Sequence, residues 1–207
     1  MKRIDLSNFI PPDKSSLIRG YLFSLLTDEP VCVYYSDDLP NDIKTAFKCL
    51  RKFGKTVTVS GSTADISGVS TAPSESIDCE NSATVMHILM GIAKYREWDL
   101  KLTGDRSLMR RDHSEFTRAG ELYGACFVET VLSKESAQLK SFHLIAMLKS
   151  GGKLHFKSKT RRNTEELLKK MGADISESSH QIEVKPVDEL KGYELGMKLD
   201  PSSAFIA

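Results

Sequence analysis

No apolar run in this sequence reaches the ~20 residues that a membrane-spanning helix needs, and the stretch 17–26 is cut by Arg19. Net charge is almost missing: 29 Lys+Arg stand against 28 Asp+Glu, leaving +1. No global basic field therefore holds the chain on nucleic acid or on an anionic membrane, and any anion site must be local. Cysteine is scarce. Cys32, Cys49, Cys79 and Cys126 lie far apart, with no close pair and no nearby His arranged as zinc ligands, which is the pattern of reduced, mostly buried thiols. His87, His113, His143, His155 and His180 likewise show no ligand spacing, so no metal site is expected. A phosphate loop is absent too: Ser150-Gly151-Gly152-Lys153 lacks the earlier glycine and the following Ser or Thr, and reads as a turn. Met1-Lys2-Arg3 carries charge without an apolar stretch behind it, so no secretory signal is read and the expected location is the cytoplasm.

What is present is a core. Hydrophobic residues make up 40% of the 207 residues and charged ones 28%, a globular balance in a chain long enough for one large domain or two small ones. Three similar passages then stand out. The apolar strand 31–35 leads to a helix over 42–53, in which Ile43, Ala46, Phe47 and Leu50 share a face and Gly54 is the stop. Leu100 to Asp105 leads to a helix over 113–123 ended by Gly124, and 153–157 leads to a helix over 163–171 capped by Gly172. Each passage follows another helix with a small, polar opening: Lys14-Ser15-Ser16, Asn81-Ser82-Ala83-Thr84 and Ser136-Ala137-Gln138. Alternating stretches 56–59 and 181–184 supply closing strands. The fold expected is α/β (α+β): three repeated units of two helices and a mixed sheet. Because no unit buries its own helix faces, the helices belong inside and the sheets outside.

Uncapped helix N-termini turn free N–H groups outward, and three related by a repeat would form a common anion site. Lys14, Arg19 and Arg111, with Ser15, Ser136 and Gln138, suit a ligand bearing phosphate and carboxylate. The plainer alternative is that Ser and Asn only cap helices while Lys and Arg are solvated. A second cluster, Lys149, Lys153, Lys157, Lys159, Arg161 and Arg162, has only Phe156 as an interleaved aromatic and is closely followed by glutamates, the composition of a solvated face.

These openings resemble a known family. Lys14-Ser15-Ser16-Leu17-Ile18-Arg19 is similar to the Lys-Ser-x-x-x-Arg signature of the 5-enolpyruvylshikimate-3-phosphate synthases, the carboxyvinyl transferases of aromatic amino-acid biosynthesis. Asn81-Ser82-Ala83-Thr84-Val85-Met86 resembles their Asn-Ala-Gly-Thr-Ala-Met-Arg segment. Residues 102–111 resemble Gly-Asp-x-Ser-Leu-x-x-Arg-Pro, and Ser136-Ala137-Gln138 resembles Ser-Ser-Gln. Asp200-Pro201-Ser202-Ser203-Ala204 is similar to the segment that crosses between the family's two domains.

The resemblance implies one domain of an enolpyruvyl transferase. Residues 1–10 are expected to form a strand of the interdomain crossover, 11–199 the N-terminal substrate-binding domain in repeats 11–75, 76–132 and 133–190, and 200–207 the start of the crossover to an absent second domain. An apolar helix opening with no body after it, at 202–207, fits a truncation, a split enzyme or a degenerate homologue. The implied reaction transfers the carboxyvinyl group of phosphoenolpyruvate to the 5-hydroxyl of shikimate 3-phosphate, without metal or other cofactor and largely by electrostatic clamping. Lys14 and Arg111 would contact phosphoenolpyruvate beside Asn81 and the Ala83 backbone. Ser15 and Arg19 would hold the shikimate ring, Ser136 and Ala137 would flank its phosphate, and Gln138 would lie between the substrates. Thr160 aligns with a phosphate-binding serine and Asn163 with a position near the ring. The acid/base carboxylates belong to the absent domain, so the isolated chain is expected to bind without turnover. The partners implied are the two substrates and that second domain, in cis or in trans.

Four positions depart from the family pattern. Ala83 stands for glycine and crowds the phosphoenolpyruvate pocket, His87 stands for arginine, Ala137 for the second serine, and Asp112 for a proline, where an acid beside Arg111 would offset its potential. Two rival readings remain at this level: a sugar-nucleotide enolpyruvyl transferase, disfavoured by Ser15, and a non-catalytic anion-, RNA- or protein-binding module on the same repeat fold.

Overall fold

The structure, a computed structural model, describes residues 13–124 and 126–197. The expected crossover strand at 1–10 and the segment 200–207 lie outside the described residues. The first unit runs α1 (Lys14–Leu22), a 3-10 turn (Phe23–Leu26), β1 (Val31–Tyr34), α2 (Asn41–Leu50), β2 (Thr56–Ser60) and β3 (Thr63–Ser67). The helix read over 42–53 divides: α2 stops at Leu50, a 3-10 turn Arg51–Phe53 follows, and Gly54 at φ 81° ends it as a left-handed cap. The second unit has β4 (Ile77–Asp78), α3 (Ala83–Arg96), β5 (Leu102–Thr103), α4 (Arg106–Met109) and α5 (Ser114–Glu121). The third has β6 (Val128–Val131), α6 (Ala137–Ser150), β7 (Gly152–His155), α7 (Asn163–Lys170), β8 (Ile175–Glu177) and β9 (Gln181–Val184), and a last strand, β10 (Glu194–Leu195), follows.

The outer units share one sheet pattern. In the third sheet, ordered β6-β7-β9-β8, β6 runs parallel to β7 while β9 is antiparallel to both its neighbours. In the first, ordered β10-β1-β3-β2, the same arrangement recurs with β10 parallel to β1, so a strand remote in sequence fills the place that β6 fills in the third. The middle unit differs from the expected repeat: among the described residues its sheet is the parallel pair β4–β5. The helix expected over 113–123 is present as α5, whose Phe116, Ala119 and Gly120 recur with helical spacing and are buried. Strand β6, inside the stretch 76–132 assigned to the second repeat, pairs with β7 of the third. Helix α5 ends at Glu121, short of the Gly124 stop, while Gly172 at φ 94° closes α7 as expected.

The helices form the interior. In α6 every residue from Leu139 to Leu148 is buried, including Lys140, Ser141 and His143, so this helix has no solvent face. It packs most heavily on α3, where a Cβ at Gly91 would stand 3.2 Å from the Phe142 carbonyl oxygen, so glycine permits the close approach of the two axes. Each large apolar side chain fully buried here contributes roughly 1.5–3 kcal/mol. Of the cysteines, Cys49 and Cys79 are buried, Cys32 is half-buried and Cys126 exposed. Among the described residues no helix is long and apolar enough to cross a membrane.

Candidate functional site

The first turns of four helices, α1, α3, α6 and α7, gather at one end of this interior, and the first three are fixed there by a local cap. In α1, Asp13 is the N-cap: its Oδ1 accepts from the backbone N–H of Ser15 (3.0 Å) and of Ser16 (3.4 Å). Ser82 Oγ accepts from Val85 N at the start of α3, and Ser136 Oγ from Leu139 N at the start of α6. The three openings expected to be uncapped are therefore capped, which satisfies one or two of their orphan N–H groups and leaves the others, with the helix dipole, for a ligand.

Side chains then tie the openings together. Asn163, first residue of α7, donates from Nδ2 to Asp13 Oδ2 (3.1 Å) and to Ser16 Oγ (2.9 Å), so its amide is held by α1. Gln138 in α6 reaches Thr84 in α3 across 2.9 Å and His87 across 2.6 Å. Arg111 donates to Asn81 Oδ1 at 2.6 Å, which places that cation over the turn that opens α3. The same turn is anchored from α2: Glu80, at φ 50°, accepts from Thr45 Oγ1 and from Lys48 Nζ, and those two contacts hold its carboxyl below the usual range. Lys14, exposed, pairs with Asp42 of α2 at 2.7 Å.

Arg19 sits differently from the expectation. It is 4% exposed, and its guanidinium points inward, donating from Nε to Thr164 Oγ1 (2.7 Å), from one terminal nitrogen to Ser141 Oγ (2.8 Å) and from the other to the Ser15 carbonyl (2.9 Å). Ser141 gives its only proton to the Ala137 carbonyl, so Thr164 is the donor in the 2.6 Å contact between the two hydroxyls. Burial lowers the Arg19 pKa to about 10, while the nearby Glu165 and Asp13 carboxylates oppose the shift, so the side chain stays cationic at neutral pH. Beneath it lies a buried ion pair, Lys140 Nζ to Glu165 Oε1 at 2.5 Å. Neither Ser141, Thr164 nor this pair was legible in the sequence: polar residues inside helices give no periodic signal, and only Asp13, an acid just before an apolar-periodic run, had a recognisable one.

The remaining expected residues fall as follows. Ser15, Ala83, Ser136 and Ala137 are half-buried in the three first turns. Thr160, whose hydroxyl is buried without a partner, lines a cavity of about 430 Å³ with Lys140, Phe156 and Glu165, and shares it with no other expected site residue. Asp112 does not face Arg111: its Oδ1 accepts from Ser114 N (2.9 Å), and that contact depresses its pKa. Lys149 and Arg162 of the basic cluster are paired with Glu97 and Glu177.

A helical interior whose first turns converge at one end, faced by repeated sheets, defines a repeat-built α/β binding domain. The EPSP synthase (3-phosphoshikimate 1-carboxyvinyltransferase) family matches residues 8–125 and 126–207, and the chain belongs to that family. Two proteins named 3-phosphoshikimate 1-carboxyvinyltransferase, from Caldicellulosiruptor saccharolyticus and Helicobacter pylori strain P12, are each 28% identical to it; the matches cover 94% and 93% of this chain but 52% and 51% of theirs. An EPSP synthase from Acinetobacter baumannii shares the fold with a TM-score of 0.85 at 24% identity, over 94% of this chain and 50% of that one. The chain thus spans about half the length of the relatives it matches.

Proposed function

We propose that this chain is the shikimate 3-phosphate-binding half of a 3-phosphoshikimate 1-carboxyvinyltransferase, acting in the cytoplasm and completed by a second domain in cis or in trans. The supporting observation is the joined ends of α1, α3, α6 and α7, where Gln138 bridges α6 to α3 and Asn163 bridges α7 to α1. In this reading residues 11–199 are the binding domain and 200–207 enter the crossover. Lys14 and Arg111 clamp phosphoenolpyruvate beside Asn81 and the Ala83 backbone. Ser15 and Asn163 border the shikimate ring and Ser136 and Ala137 flank its phosphate, while Thr160, in a separate cavity, would reach that phosphate only from the side of α7. Arg19 serves chiefly by fixing the ends of α1, α6 and α7 and by its buried positive charge, since three of its donors are engaged within the protein. Preorganised cations and helix termini stabilise charge as the substrate 5-hydroxyl adds to phosphoenolpyruvate and phosphate departs. Half a site binds and does not turn over.

Calorimetric titration of the 207-residue chain with shikimate 3-phosphate tests this, repeated on Lys14→Ala and Ser15→Ala, positions that carry little of the core. One-to-one saturation, weakened about tenfold in each variant, is the expected result, the factor that one charge-assisted hydrogen bond represents. Failure of the folded chain to bind, or preference for a sugar nucleotide, overturns it. An RNA-binding reading predicts salt-dependent binding indifferent to Lys14→Ala; the pairing of Lys149 and Arg162 with carboxylates gives it no support.

A further inference from the structure

Four side chains at the α3–α6 junction form one hydrogen-bonded line of which the proposed function uses only the bridge from Gln138 to Thr84. His113 Nε2 lies 2.9 Å from the Leu108 carbonyl oxygen, His113 Nδ1 lies 2.9 Å from His87 Nε2, His87 Nδ1 lies 2.6 Å from Gln138 Oε1, and Gln138 Nε2 lies 2.9 Å from Thr84 Oγ1. His87 is 6% exposed and stacks face to face on Phe116, with ring centres 3.5 Å apart and 10° between the planes.

The protons along this line can be counted. A carbonyl only accepts, so His113 Nε2 carries a hydrogen. If His113 is neutral, its Nδ1 accepts, and His87 Nε2 must donate to it. If His87 is neutral as well, its Nδ1 has a lone pair and needs a donor, yet Gln138 presents an oxygen there. Two acceptors 2.6 Å apart repel. Either the Gln138 amide makes a half-turn, giving its N–H to His87 and its oxygen to the Thr84 hydroxyl, or the two rings together hold one extra proton. The orientation in which Oε1 faces His87 is thus the orientation of a singly protonated pair.

We infer that His87, held in register by His113, is a positioning residue that sets which edge of the Gln138 amide faces His87 and which faces Thr84, and that one proton taken up from solvent by the ring pair reverses that choice. The inference rests on the proposed function only for its consequence: Gln138 lies among the first turns assigned to substrate, and reversal exchanges the positions of its outward N–H and its outward lone pair.

The surroundings decide which state prevails. From the segment before α5, Arg111 and His113 face His87; from the loop before α6, Lys134 does, itself paired with Glu115; α5 contributes the Phe116 ring and α6 the Gln138 amide. Burial is the largest influence, and His113, Lys134 and Arg111 act in the same direction, so the His87 pKa falls to about 4 despite the contact with Gln138. With no extra proton on the pair, the amide nitrogen is turned to His87.

The test is a 15N spectrum of the histidine rings and of the Gln138 side-chain amide in the ligand-free chain, taken near neutral pH and again on acidification, with His87→Asn and His113→Phe alongside. At neutral pH both rings should carry hydrogen on Nε2 only, and the Gln138 amide protons should lie against the His87 ring. Acid should move them to Thr84 as the pair titrates. His87→Asn, which keeps an acceptor at the Nδ1 position but cannot titrate, should hold the amide in its neutral orientation at every pH at which it stays folded; His113→Phe should leave His87 a mixture of tautomers. A hydrogen on His87 Nδ1 at neutral pH overturns the inference, as does an amide whose orientation ignores the titration or is unchanged in His113→Phe. Should acid unfold the chain first, the neutral-pH tautomers and His113→Phe decide. For shikimate 3-phosphate, His87→Phe should lose roughly tenfold in affinity and His87→Asn stay near the parent. If the tautomers are as stated and shikimate 3-phosphate never binds, the proposed function fails and the positioning role stands.

Discussion

Arg19 and Thr164, 145 positions apart in sequence, are joined by a 2.7 Å hydrogen bond from Nε to Oγ1 that locks α1 to α7 at the end where the candidate site lies. Replacing Arg19 leaves Ser15 O, Ser141 Oγ and Thr164 Oγ1 short of a donor in a place water hardly reaches. Arg19→Ala should therefore cost about 3 kcal/mol of stability, read as a lower urea midpoint at unchanged slope. It should also abolish ligand binding, whereas Lys14→Ala should weaken binding about tenfold with its midpoint intact.

The Lys140–Glu165 pair beneath Arg19 should show strong coupling. With both side chains almost fully buried, Lys140→Met strands a carboxylate and should destabilise by about 3–5 kcal/mol. Adding Glu165→Leu should restore most of that. A double-mutant cycle from urea unfolding measures it, and additive losses would contradict the pairing.

Acid should weaken the fold through two histidines. Burial lowers the pKa values of His87 and His143 to about 4, below the value near 6.5 of an exposed ring. Between those values the unfolded chain binds more protons, so this stability is complete above about pH 6.5 and is lost as pH falls toward 4. Each ring accounts for on the order of 3 kcal/mol at the acid limit. Urea midpoints across that window should fall steeply, and His143→Phe, which also gives up the Tyr123 contact, should flatten the fall.

Asp42 competes for the proposed phosphoenolpyruvate lysine. Asp42→Asn removes a partner 2.7 Å from Lys14 in a half-exposed pair. Affinity for phosphoenolpyruvate or inorganic phosphate should rise about two- to fivefold, as the modest worth of such pairs implies. An unchanged affinity by calorimetry would place Lys14 outside the anion site.

Periodicity revealed much of this molecule. The spacing of Ile43, Ala46 and Leu50, the small polar openings at 81–84 and 136–138, and the stops at Gly54 and Gly172 are local facts, and each local pattern matched the element it marks. Residue types in the first turns also named the side chains that meet there. The two-stranded middle sheet escaped notice because β6, which the repeat assigns to the second unit, pairs with β7 of the third, a partnership that neither segment encodes alone. The inward turn of Arg19 and the meeting of His87 with His113 depend on contacts between distant elements, which no single segment encodes.

Strand β10 pairs Glu194 with Cys32 and Leu195 with Val33, while the Tyr193 hydroxyl donates to the Gly20 carbonyl. These contacts join the start of the described chain to its far end, and closing so long a loop carries a large entropic cost before any pairing rewards it. The third sheet draws all its strands from one stretch, so it can form early and alone. The first cannot be finished until Glu194 and Leu195 have been made, so the edge of β1 stays uncovered while the segments between are synthesised and is open to wrong partners in that interval.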